Sequence, residues 1–265
     1  MQQSPRVVMG GTVVIKWGGG LITQKDKLCT VKQDVIDSLS EICQKSGKNL
    51  VIIHGAGSFG HMKAKKFRLA EGRIPGLDQS LAIEEVRNDM IILNSIVIES
   101  LRNSGLSVEA YPPHKWAVGT GHNFQGELPI HSGVTVVYGD VVPDMNNEFG
   151  ILSGDDLMYR YATELPDVER AIFAIGGVDG ILRVPPSEAK PEDLIENWSI
   201  DTEFEGEHAS DIDVTGGIGL KAQRGSMIAE KGVPVLFVNG ENYQRVLGAI
   251  MGEEVRGTRI HPGNC

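Results

Sequence analysis

NLVIIHGAGSFGHMKAKK, residues 49–66, runs an apolar stretch into a glycine cluster, Gly55-x-Gly57-x-x-Gly60, with His61 directly after it. An unbroken apolar run of this length reads as a strand buried on both faces, as in a parallel sheet. The glycines end it with a loop whose backbone a ligand can approach closely. A buried strand feeding a glycine loop is the repeating unit of a parallel α/β sheet, whose ligands gather beyond the carboxyl ends of the strands.

The same unit recurs outward from this point. Thr12–Lys16, Ser107–Tyr111, Val134–Tyr138, Ala171–Ile175 and Val233–Asn239 read as further strands. Helical patterns separate them at 31–46, where Val35, Leu39 and Ile42 share a face, and at 80–104, 155–165 and 219–231. Ser104-Gly105 is the expected stop of the long helix. This alternation predicts an α/β fold, a mainly parallel sheet with helices on both faces. Residues 185–201 read as a surface excursion, and acidic 208–213 as the lead into a glycine loop. The chain has 265 residues, enough for one large α/β domain or two lobes.

A net charge of −10 argues against general nucleic-acid binding, which needs a basic stripe. It leaves anionic small ligands open, since these need only local lysines and backbone N–H groups. No apolar run approaches a membrane span of about 20 residues, and the N-terminal stretch has no secretory leader pattern. The three cysteines, Cys29, Cys43 and Cys265, form no zinc spacing and suit a reduced, cytoplasmic protein.

Three glycine loops follow strand-like or acidic runs: Gly18-Gly19-Gly20 after Lys16, the opening cluster, and Gly216-Gly217-x-Gly219 before Lys221. Such loops present backbone N–H groups to polyanions. The letters of the opening cluster satisfy the dinucleotide fingerprint, but that unit also needs a helix opening inside the motif and an acid ending the next strand. Here no helix is expected inside it, and Glu84 and Glu85 fall within a helical pattern. No G-x-x-x-x-G-K-[ST] loop is present. Lys16, Lys25 and Lys221 lie in or beside glycine loops, where phosphoryl transfer places its cations. Each also reads as an ordinary solvated lysine. His61 is either a solvated histidine or a donor to a phosphate oxygen. Asp155 and Asp156 are an N-cap pair, or one of them bridges two lysines.

The motifs VVIKWGGG, IIHGAGSFGH, YGDVV, ILSGDDLM, GVDGI, DVTGGIGLK and VNG occur in the order of the amino-acid kinase superfamily. The GSFGH ending, with SGDD and DVTGGIG.K, most resembles the isopentenyl phosphate kinases over about residues 12–260. The resemblance implies a three-layer αβα sandwich in two lobes, residues 1–147 binding an acceptor phosphate and 148–265 binding ATP. It implies transfer of the ATP γ-phosphoryl to isopentenyl phosphate (dimethylallyl phosphate being a second acceptor), with Mg²⁺ carried by the nucleotide, no protein metal site and a homodimer. By the same resemblance, Lys16 and Lys221 neutralise the transferring group, Asp155 orients them, and Lys25 stabilises the transition state. His61 grips the acceptor phosphate, with Gly55, Ala56, Gly57, Gly60 and Gly154 around the phosphates. Gly18, Gly19, Gly20, Asp179, Thr215, Gly216 and Gly217 fall at the nucleotide. Ile83, Val86 and Met90 share a helix face that either lines an acceptor-tail pocket or is plain core. The chain departs from the family pattern at Trp17, bulky for a slot beside the phosphates, at Gly20, which replaces a serine, and at Gly176-Gly177, which replaces a Thr-Asp pair. A fosfomycin-type phosphonate kinase, a non-catalytic nucleotide sensor and an NAD-binding protein are the alternative readings.

Overall fold

Val13, Val14 and Ile15 have no exposed surface, so the strand β1 (Thr12–Trp17) carries packing on both of its faces. Strand alternation sends Val13, Ile15 and Trp17 to one side and Val14 and Lys16 to the other. That split decides the architecture and the site. The computed structural model describes residues 11–201 and 218–263.

β1 pairs in parallel with β2 (Asn49–His54) on one side and β7 (Val168–Ile175) on the other. With β3 (Val108–Ala110), β4 (Val134–Tyr138), β8 (Asn197–Trp198), β9 (Val235–Asn239) and β10 (Thr258–Ile260), they form an eight-stranded sheet ordered β3-β4-β2-β1-β7-β9-β10-β8. Among the described strands of this sheet, only the β9–β10 pair is antiparallel. Val13, Ile15 and Trp17 pack with α1 (Gly19–Ile22), α2 (Gln33–Ser46), α3 (Gly57–Lys66), α4 (Ser80–Asn103) and α7 (Tyr243–Met251). The opposite face packs on α5 (Gly154–Glu164) and α6 (Ile218–Glu230). The αβα sandwich expected from the sequence is therefore present.

The structure corrects the sequence reading in four places. A helix does open inside the glycine cluster: α3 starts at Gly57. Two glycines make poor helix, but Phe59 and Ala64 bury their side chains, and tertiary packing overrides propensity. The dinucleotide topology still fails, because a second helix, α4, intervenes before the next strand, β3. Second, β5 (Asp140–Asp144) and β6 (Glu148–Leu152) form an antiparallel hairpin that is not among the strands read from the sequence; Pro143 and the Asn146-Asn147 turn mask it. Third, the stretch 185–201 is not purely a surface excursion: Leu194, Ile195 and Trp198 are buried as it returns to the sheet edge as β8. Fourth, Trp17 causes no crowding by the phosphates, because alternation buries it in the core on the far side of β1 from Lys16. The expected lobe boundary at 147/148 falls in the β5–β6 turn, and the sheet runs across it through the β1–β7 pair. The acidic stretch 208–213 lies outside the described residues.

Candidate active site

The chain leaves β1 toward β2 on one side, while β7 lies on the other. The carboxyl ends of these strands therefore open a crevice at a topological switch point, the usual ligand site of such sheets. A cleft of about 1880 Å³ occupies it. Its floor is backbone: Gly18–Gly20 beyond β1, Gly55–Gly57 beyond β2, Gly139 beyond β4 and Gly154 at the head of α5.

The glycines are there because the loops touch backbone to backbone. A Cβ on Gly19 would lie 2.3 Å from the Gly57 nitrogen. Gly57 also has φ +50°, the left-handed region that side chains disfavour. Thr23 staples the two loops: its hydroxyl donates to the Gly19 carbonyl at 2.8 Å and accepts the Ser58 N–H at 3.0 Å. Helix α3 starts at this contact; Ala56 has no polar side chain to cap it, Thr23 takes the Ser58 N–H, and the positive N-terminal end lies at the cleft lined by Ala56 and Gly57.

Charge is arranged just as tightly. Asp155 is buried near the start of α5, where Ser153 caps the helix by accepting the Asp155 and Asp156 N–H groups at 3.0 and 3.3 Å. The Asp155 carboxylate accepts a hydrogen bond from the Lys16 ammonium and lies 3.7 Å from the Lys221 ammonium. Burial, and the charge of Lys221, push the Lys16 pKa down to about 8, against the pull of Asp155. Asp155 thus keeps two lysines together that would otherwise repel each other. Gly154 makes room for them, since a Cβ there would stand 3.2 Å from the Lys16 Cε. His61, on the first turns of α3, lies at the cleft wall with its pKa lowered by burial and by Lys221 and Lys16. Lys25 also lines the cleft, folded against Gly20, where a Gly20 Cβ would meet its Cε at 2.9 Å. A chain of charge −10 thereby presents a cationic cleft that its net charge conceals.

The structure brings together Lys16, Gly18, Gly19, Gly20, Lys25, Gly55, Ala56, Gly57, Gly60, His61, Val86, Met90, Gly154, Asp155 and Lys221. Two expected residues are not at the cleft surface. Ile83, on the first turn of α4, is half-buried and packs against the core. Asp179 accepts hydrogen bonds from Arg256 at 2.7 Å, from Arg245 and from Asn239 at 3.3 Å, while its neighbours Gly176, Gly177, Val178 and Gly180 line the cleft. Burial works against the Asp179 charge, but the donors from Arg256 and Arg245 outweigh it and hold the pKa below the usual carboxylate value. Thr215, Gly216 and Gly217 lie outside the described residues. Sequence reasoning missed the pair beside the lysine clamp. Arg224, one turn after Lys221 on α6, donates to buried Asp156 at 2.7 Å. The signal was an Asp-Asp step against a Lys-x-x-Arg helix face, readable only once α5 and α6 are known to touch.

Comparison with known proteins identifies the family. Residues 11–239 match the amino acid kinase family. The isopentenyl phosphate kinase of Methanothermobacter thermautotrophicus is 31% identical, over 94% of this chain and 98% of its own length. That of Thermoplasma acidophilum is 32% identical, over 94% of this chain and 99% of its own. A crystal structure of an isopentenyl phosphate kinase superposes with a TM-score of 0.80 at 27% identity, covering 94% of this chain and 99% of that one.

Proposed function

The chain belongs to the amino acid kinase family, and from that premise we propose that it transfers the γ-phosphoryl group of ATP to isopentenyl phosphate, giving isopentenyl diphosphate and ADP. One observation carries the reading: Asp155 clamps Lys16 and Lys221 at the head of a cleft floored by two interlocked glycine loops. Phosphoryl transfer asks the protein for little covalent chemistry and much positioning of charge. Two phosphorylated reactants must meet in line, and their mutual repulsion must be offset by donors and cations.

In this mechanism the acceptor phosphate lies on the Ala56 and Gly57 N–H groups at the N-terminus of α3, with His61 donating from the side. Lys16 and Lys221 donate to the oxygens of the group in flight, and Lys25 approaches from beside Gly20. No general base is required, because the attacking oxygen of a phosphate monoester is already anionic at neutral pH. Mg²⁺ would be carried by the nucleotide phosphates and water, and would offset the charge of the phosphates there. Among the described residues, no three His, Cys, Asp or Glu groups gather into a protein cage for it. The acceptor thus sits on residues before the β5–β6 turn and the nucleotide mainly on residues after it. Val86 and Met90 give the acceptor side an apolar wall, which favours a short hydrocarbon tail over a small polar phosphonate.

The chain works as a homodimer in this proposal, with the exposed α4 residues Leu81, Ile91 and Ile92 as the apolar stripe to cover. Among the described residues no helix is long and apolar enough to cross a membrane. We place the protein in the cytoplasm, which suits its ATP requirement. ADP release with isopentenyl phosphate, dimethylallyl phosphate, fosfomycin or no acceptor tests the reading. Turnover with isopentenyl phosphate is expected. Turnover with fosfomycin alone, or none despite ATP binding, overturns it.

A further inference from the structure

His54 closes β2 and has no exposed surface. Its ring stacks on Tyr138, with centroids 5.1 Å apart, at the end of the neighbouring strand β4. Nδ1 lies 3.2 Å from the Gly55 carbonyl oxygen, and Nε2 lies 3.3 Å from the side-chain amide oxygen of Asn94, in the middle of α4. Burial lowers the pKa to about 4, so the ring is neutral at physiological pH and carries one proton.

Chemistry decides where that proton sits. The Gly55 carbonyl can only accept, so its bond requires Nδ1–H. The Asn94 amide can serve Nε2 from either end, since turning it over presents the NH₂ as donor. The neutral ring with its proton on Nδ1 therefore satisfies both neighbours. The peptide between Gly55 and Ala56 is planar and trans, so its C=O and N–H point in opposite directions. With the Gly55 carbonyl drawn back to the buried imidazole, the Ala56 N–H is turned the other way, and Ala56 lines the cleft.

We propose that His54 is a positioning residue for phosphate recognition: its Nδ1–H···O=C bond to Gly55, braced by Asn94 and Tyr138, holds the Gly55–Ala56 peptide with its N–H aimed at the acceptor phosphate. The inference rests on the reading of this cleft as an acceptor-phosphate site. His61 reaches the ligand with its side chain, whereas His54 acts only through the backbone. The two histidines flanking GAGSFG thus have separate jobs. Mutual packing of β2, β4 and α4 is the structural role His54 shares with any buried aromatic residue; aiming the peptide belongs to the nitrogen alone.

Steady-state kinetics of three proteins separate these roles. The wild-type chain is assayed first: no turnover of isopentenyl phosphate sinks the functional reading. Given turnover, His54→Phe keeps an aromatic ring against Tyr138 but loses the donor. We expect its KM for isopentenyl phosphate to rise at least tenfold, with KM for ATP within twofold of wild type. His54→Asn, whose amide nitrogen stands in for Nδ1, restores the acceptor KM to within threefold. An unchanged acceptor KM in His54→Phe overturns the inference, as does an equal loss for both substrates or a failure of His54→Asn to rescue. Should His54→Phe not fold, ¹⁵N spectra of the wild-type imidazole decide. A neutral ring protonated on Nδ1 from pH 6 to 8 supports the assignment, and protonation on Nε2 overturns it.

Discussion

Replacing Arg224 by Met tests whether the charge ladder between α5 and α6 is built as described. The Arg224 guanidinium donates to Asp156 at 2.7 Å, with side-chain exposures of only 11% and 6%. Removing one member of a buried pair leaves the other charge without a partner, at a cost of about 3–5 kcal/mol. By contrast Lys45 and Glu41 form an exposed pair on α2, 57% and 63% accessible, whose loss should cost below about 0.5 kcal/mol. Urea unfolding followed by circular dichroism reads both. Total stabilities of about 5–15 kcal/mol leave most of the Arg224→Met population folded at low denaturant. Adding Asp156→Leu to Arg224→Met removes the orphaned carboxylate and should recover most of the loss. The reasoning also reaches catalysis, because Lys221 lies one turn before Arg224 on the same helix. Arg224→Met should raise KM for ATP more than KM for the acceptor. A stability loss under about 1 kcal/mol, or no recovery in the double variant, would refute the ladder.

Other consequences follow from the same cleft. Lys16 has its pKa lowered to about 8 by burial and by Lys221, so ATP binding to the free enzyme should weaken as pH rises from 7 to 9; calorimetry on wild type and Lys16→Met should show that slope only in the former. For stability the sign is opposite: from about 8 to the ordinary 10.5 the unfolded chain holds more protons at this site, so its contribution favours folding increasingly as pH rises. His61→Ala should abolish acceptor turnover while ATP binding, measured directly, survives; unchanged acceptor affinity would remove His61 from its assigned place. Gly19→Ala puts a Cβ 2.3 Å from the Gly57 nitrogen, so the two loops must part, and turnover should fall at least tenfold in a protein with near-native circular dichroism. If the exposed stripe of α4 is covered in the proposed dimer, the wild type should sediment as a dimer and Ile92→Arg as a monomer by analytical ultracentrifugation.

Much of this was legible in the chain because central strands bury both faces. Thr12, Asn49 and Val134 start runs whose apolar letters need no partner to be read, and these runs set the sheet. Helix α4 was equally plain from its length and its Ser104-Gly105 stop, where Gly105 has φ +90°. Helix α3 was not, since Gly57 and Gly60 argue locally against it and only the packing of Phe59 and Ala64 supplies the reason for it. The cleft residues were nameable from glycine and lysine spacing, yet spacing says nothing about direction. Alternation along β1 is what separates Lys16 from Trp17. The engagement of Asp179 by Arg245 and Arg256 joins residues 66 and 77 positions apart. The Arg224–Asp156 and His54–Asn94 pairs are also long-range, and no local pattern announces them.

The most direct test follows the phosphorus atoms. Incubation of the protein with MgATP and isopentenyl phosphate, monitored by ³¹P NMR, should show the monophosphate singlet replaced by the two coupled doublets of a diphosphate monoester, in step with ADP. Appearance of inorganic phosphate with the monophosphate singlet intact would mean that the γ-phosphoryl group goes to water, and would contradict the account.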